Sequence, residues 1–148
     1  RCIHLLKRLN DAMYTAEMEP VSINAPLTIE HLLPRNWVEH WPLPDGRRGI
    51  SDLVLSADDH EDGLIEACEY REKLLQTVGN LTLMTQPLNS AVSNRAWLEK
   101  REEIISSSML PISVGLRTLE KWDEEAILAR SEHLLQLAIK IWPGPKRA

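Results

Sequence analysis

Residues Thr28-Ile29-Glu30-His31-Leu32-Leu33-Pro34 constrain this chain more than any other stretch. They form a short β-prone run that sets an acid beside an imidazole and then meets a proline. Neighbouring side chains on a strand point to opposite faces. Glu30 and His31 therefore share one surface only if the strand bends or bulges, and Pro34 makes such a bend the expected arrangement. Two short signals downstream complete the set: Gly79-Asn80-Leu81-Thr82-Leu83, a second β-prone run, and Leu88-Asn89-Ser90, nine residues beyond Asn80.

The rest of the chain reads as mainly helical. Ile3, Leu6, Leu9 and Met13 recur at helical spacing with Lys7, Arg8 and Asp11 between them, which predicts an amphipathic helix over 1–18 closed by Pro20. Pro26 leaves a strand over 28–31. Trp37 and Trp41 predict a turn of helix at 36–41, followed by irregular chain around Pro42, Pro44, Gly46 and Gly49. Residues 51–55 read as a short extended piece or a helix entry, and 58–62 as an acidic block. Residues 64–76 read as a helix with Glu66, Glu69, Arg71, Glu72 and Lys73 on a charged outer face, stopped by Gly79.

A second strand is expected at 80–85, then a helix from 90 or 94 to 106. A last helix runs from 116 or 121 to 141, burying Leu119, Trp122, Ile127, Leu134, Leu137, Ala138 and Ile141. The stretch 33–79 is too long for a hairpin loop and is expected to pack as a helical insertion between the strands. The fold class is therefore α+β, mainly helical, with helices flanking the strands at both ends.

A length of 148 residues suits one domain with its own core. No apolar run reaches the roughly 18 residues of a membrane span, and no signal peptide is evident. The chain begins at Arg1, inside a helical pattern and without an initiator methionine, so it reads as a piece of a longer protein. Cys2 and Cys68 make neither a metal spacing nor a disulfide framework, which points to a reduced, cytoplasmic setting.

An acid, an imidazole and two amides are the groups that metal-assisted phosphodiester cleavage requires. Hydrolysis needs a deprotonated water, neutralisation of the phosphoryl oxygens and stabilisation of the leaving oxygen. A histidine titrating near neutrality suits the first task, and His31 is assigned to it. Mg²⁺ commonly takes one or two protein oxygens plus waters and substrate phosphate, so Glu30 and Asn89 are assigned to the metal. Asn80 is assigned to hydrogen-bonding the loop that carries His31 and fixing its ring. Each assignment has a plain counterpart: His31 as a core histidine, Glu30 as a solvated strand residue, Asn80 as turn chemistry, and Asn89 as a helix N-cap.

The acid-His-aliphatic-x-Pro run at Glu30–Pro34, with Asn80-Leu81 and Asn89 behind it, resembles the HNH (His-Me finger) nuclease motif. The likeness is stronger to the C-terminal HNH domain of GmrSD-type modification-dependent restriction nucleases and their phage-defence relatives. The runs Ile29-Glu30-His31-Leu32-Leu33-Pro34, Gly79–Leu83 and Asn89-Ser90-Ala91-Val92-Ser93-Asn94 carry it, with Lys100 and the late series Trp122, Ile127, Arg130 and Trp142.

The resemblance implies a ββα-metal core in which His31 activates water and Glu30 and Asn89 hold one Mg²⁺ or Mn²⁺. It also implies DNA as substrate and an NTPase-like regulatory N-terminal domain in the full-length protein. Asparagine at the third position favours Mg²⁺ over Zn²⁺, since its amide oxygen is a hard ligand. The CxxC zinc pairs of many HNH proteins are missing.

A net charge of −5 counts against a free-standing nucleic-acid binder, because phosphate neutralisation supplies most sequence-independent affinity. Arg35, Arg95, Lys100 and Arg101 are the candidate backbone contacts. Lys100 in particular returns to the face of Asn89 if one helix carries both. Two readings other than a DNA nuclease stay open: a non-catalytic HNH-like module that binds DNA or a partner subunit, and an enzyme acting on RNA.

Overall fold

In the computed structural model, which describes residues 1–50 and 63–144, two short strands are held between six helices. Helix α1 spans Cys2–Ala12, strand β1 Leu27–His31, α2 Leu64–Leu75 and β2 Leu81–Thr85. Helices α3 (Gln86–Val92), α4 (Trp97–Ser107), α5 (Pro111–Val114) and α6 (Glu124–Ile141) follow, and single 3₁₀ turns lie at Trp37–Glu39 and Val78–Asn80. The strands pair antiparallel, from Leu27 opposite Thr85 to His31 opposite Leu81. The chain is thus mainly helical with a small antiparallel sheet, an α+β arrangement.

The period-2 pattern of the strands divides the core. Leu27, Ile29, Leu81 and Leu83 turn to one side and pack with Leu6, Leu110 and Ile112. Met84 turns to the other, into a larger cluster with Leu88 and Val92 of α3, Trp97 and Ile104 of α4, and the tryptophans Trp37, Trp41 and Trp122. Burying both faces of a two-stranded ribbon gives it the support that an isolated hairpin lacks in water.

Three helix boundaries differ from the sequence expectation, each for a local reason. Helix α1 stops at Ala12, because the chain beyond Met13 offers no further buried stripe. The single helix expected over 90–106 is two. Helix α3 begins early, with Pro87 in its first turn where a missing N–H costs nothing, and it ends at Ser93, whose φ of +28° no helix accepts. Helix α4 restarts at Trp97, pinned by the Trp41 and Trp122 rings at 6.2 and 5.2 Å. Helix α6 begins only at Glu124, where the Asp123 carboxylate accepts from the Ala126 N–H at 3.0 Å as an N-cap. Its Ile127 and Leu134 are buried, while Leu128, Leu135 and Ile139 are exposed. The expectations for 51–55 and 58–62 lie outside the described residues.

Arg71 is not on a solvated face. It is 1% exposed and pairs through Nε and Nη2 with both oxygens of buried Glu124, at 2.6 and 3.1 Å. Its Nη1 donates to the carbonyls of Trp41 and Pro42, and the guanidinium lies 4.7 Å from the Trp37 ring centroid. One cation thereby joins α2, the tryptophan turn and α6.

Arg130 of α6 plays a similar part for the sheet. Its Nη1 donates to the carbonyls of Gly79 and Leu81 at 2.6 and 2.8 Å, and Nη2 reaches the Ile112 carbonyl at 3.3 Å. Burial pushes its pKa down to about 10. Helix α6 approaches Gly79 so closely that an added Cβ would lie 2.2 Å from the Ile127 carbonyl oxygen and 2.1 Å from Ser131 Oγ. Gly79→Ala is therefore expected to destabilise the fold by about 1–3 kcal/mol, as overpacking does. Urea unfolding checks this, and an unchanged midpoint would contradict the close approach.

Candidate active site

The amide of Asn80, wholly buried, fixes the chain just after β1. Its Oδ1 accepts from the Leu33 N–H at 2.8 Å and from Trp122 Nε1 at 3.1 Å, and its Nδ2 donates to the carbonyls of Leu33 and Leu75 at 2.9 and 3.0 Å. The Leu32 N–H donates to the Asn80 carbonyl at 2.8 Å, extending the pairing past His31. All four hydrogen-bonding positions of the side chain are thus filled. It acts on the backbone beyond His31, and none of its hydrogen bonds goes to the ring itself.

The ladder runs unbroken through Glu30 and His31, so the expected bulge is absent. The bend comes afterwards, at Leu32 and Leu33, where the Asn80 carbonyl and amide take over the hydrogen bonding from the ladder. Alternation then sends Glu30 to the face covered by α3 and α4, and His31 to the opposite one.

The Glu30 side chain is 12% exposed, and its Oε1 lies 2.5 Å from Lys100 Nζ. Thr28, on the same face, accepts through Oγ1 from Asn89 Nδ2 at 2.9 Å, and Nδ2 also reaches the Ile29 carbonyl at 3.2 Å. Asn89 is no N-cap, since Thr85 holds that position and Asn89 sits inside α3. With Nδ2 committed to the strand, Asn89 Oδ1 has no hydrogen-bond partner among the described residues, nor does Glu30 Oε2. Thr82, opposite Glu30 in the ladder, is fully buried with its hydroxyl unpaired among those residues. The face thus gathers two hard, uncommitted oxygens and a hydroxyl.

The His31 ring is half-buried, with Nε2 3.3 Å from Gln76 Oε1 just past α2. Burial holds its pKa below the usual histidine value, against an opposing push from the Gln76 bond. Arg35 and Lys100 depress it further, and Glu30 raises it. The net shift favours the neutral ring. In the tautomer that donates from Nε2 to Gln76, Nδ1 carries the free lone pair and can take a proton.

The four expected DNA contacts fare differently. Arg35 and Arg95 are exposed. Arg101 turns inward, its Nη1 donating to the Leu119 carbonyl at 2.8 Å. Lys100 is 0% exposed, and its ammonium meets Glu30 Oε1, the His31 carbonyl and the Ser93 carbonyl at 2.5, 2.6 and 2.9 Å. It is thus not available to a phosphate. The helix expected to carry it past Asn89 is broken at Ser93, so α4 approaches β1 from a different direction. Burial lowers the Lys100 pKa, and Glu30 counteracts the shift. Sequence reasoning gave no role to Gln76, a polar residue outside any motif, or to Thr28, which only heads the first β-prone run. His4 and His40 take no part, and Trp37 and Trp41 are core.

The chain is a member of the family described as "GmrSD restriction endonucleases, C-terminal domain", whose model matches residues 1–137. No curated protein and no solved structure matches it. The family description itself places this region within a larger restriction endonuclease.

Asn80→Ala would leave four buried groups unpaired, at about 1–3 kcal/mol for each group that water cannot reach. A lowered urea midpoint and faster hydrogen exchange at the Leu33 amide are expected. An unchanged Leu33 amide would show that the side chain does not secure this turn.

Proposed function

We propose that this chain is a metal-dependent DNA endonuclease of HNH type, nicking one strand per encounter, in the restriction of foreign or modified DNA. The observation carrying the reading is the position of His31 at the end of β1, with the oxygen donors Glu30 and Asn89 on the opposite face of the same strand end. A scissile phosphate lying across the strand end would meet both, which replaces the single-faced site expected from sequence. His31 accepts the proton of the attacking water. Glu30, through Oε2, and Asn89, through Oδ1, would hold one Mg²⁺ or Mn²⁺.

Their donor chemistry fits those ions, since both oxygens are hard and neither has a hydrogen-bond partner among the described residues. Among the described residues no group of three or more His, Cys, Asp or Glu converges, so waters and substrate phosphate would complete the shell. When bound, such an ion neutralises charge on the phosphoryl oxygens and stabilises the leaving oxygen. Arg35 and Arg95 are the exposed cations suited to the DNA backbone, and an NTPase-like regulatory domain of the larger protein would supply control. The proposed setting is cytoplasmic; no helix among the described residues is long and apolar enough to cross a membrane.

One observation favours a second reading, a non-catalytic module that binds DNA or a partner: the Lys100 ammonium already neutralises Glu30. A plasmid assay separates the two. With Mg²⁺ or Mn²⁺ the chain is expected to convert supercoiled DNA to open circles, and His31→Ala to lower that rate about 10²–10⁴-fold. Equal rates for parent and variant would end the enzymatic reading.

A further inference from the structure

We infer that Lys100 is a positioning residue that keeps Glu30 and the end of α3 in a fixed relation. The inference rests on the ion-holding role proposed for Glu30 and Asn89. Lys100 lies on α4, yet its three ammonium bonds go to two other segments: the Glu30 carboxylate and His31 carbonyl of β1, and the Ser93 carbonyl that ends α3. An ammonium has three donors on a flexible stem and matches three separate acceptors, where a planar guanidinium would not.

Ser93 adds an independent reason. Its φ of +28° is a conformation that side chains other than glycine rarely adopt, so its carbonyl direction has to be held from outside. Asn89 lies one turn back in the same short helix, with its own carbonyl accepting from the Ser93 N–H at 3.2 Å. Lys100 thus fastens both chain segments that carry the proposed oxygen donors. It leaves Glu30 Oε2 uncommitted while taking Oε1, and it makes no hydrogen bond with the Asn89 side chain.

Charge alone makes the opposite prediction. A buried cation beside a ligand carboxylate repels a second cation, so removing it would tighten ion binding. Fastening predicts weaker binding instead.

Mn²⁺ titration of the full chain, followed by the electron-spin signal of the free ion, reads this without any turnover. The parent is expected to bind Mn²⁺, Glu30→Gln to lose that binding, and His31→Ala to keep it. Lys100→Met and Lys100→Arg are expected to bind about 10–100-fold more weakly, as when an orienting partner of a metal ligand is lost. Circular dichroism confirms that each variant is folded. Lys100→Arg keeps the charge opposite Glu30, so it decides the matter if Lys100→Met does not fold.

Parent-like or tighter binding in the folded lysine variants would overturn the positioning role while leaving the ion site standing. If the parent shows no Mn²⁺ binding that depends on Glu30, the ion site itself falls and this role falls with it.

Discussion

The site depends first on a buried amide satisfied on every side. Asn80 reaches the backbone of Leu33, the end of α2 at Leu75 and the indole of Trp122, and so closes β1, α2 and the lead into α6 onto one point. Any shift of the three segments would strand polar atoms in the core, where an unpaired group costs more than a paired one gains. That asymmetry explains how so small a sheet holds its register up to His31. The bend falls at Leu32 and Leu33, where the amide grips the backbone only after the ladder has ended, which is why Glu30 and His31 stand back to back.

Cations are used inside this molecule more than its composition suggests. Arg71, Lys100 and Arg130 are all turned inward, each tying together segments distant in sequence. Arg71 and Lys100 do so with a carboxylate partner, without which burial would cost several kcal/mol. Arg130 relies on carbonyls alone, and its depressed pKa reflects that. Of these three, Arg71 and Lys100 each take a carboxylate inside with them, so only Arg130 is withdrawn from the surface without a paired acid.

Much of this was legible in the chain, for reasons that can be named. The β-prone runs were bounded by Pro26, Pro34 and Gly79, and the helical stripe of 64–76 was regular. The hydrogen bonds of Asn80 to the loop beyond His31 followed from an asparagine placed where a turn meets a strand. The break between α3 and α4 was not legible, because a positive φ at a serine leaves no mark in composition. From that followed the wrong placement of Lys100 beside Asn89. Asp123 and Glu124 are adjacent acids, yet one caps a helix and the other is a buried ion-pair partner. Which acids go inside depends on cations far along the chain, and no local pattern records that.

The pairing of His31 with Leu81 has a kinetic consequence. Bringing those residues together closes a loop of roughly fifty residues, and contacts of that separation give nothing back until the loop has shut. The helices can form from local sequence, whereas the ribbon waits for the encounter of its two halves. A newly made chain halted before that encounter would have only its local helical turns, with the two strands unpaired and the side chains of Glu30 and His31 not yet set on their two faces.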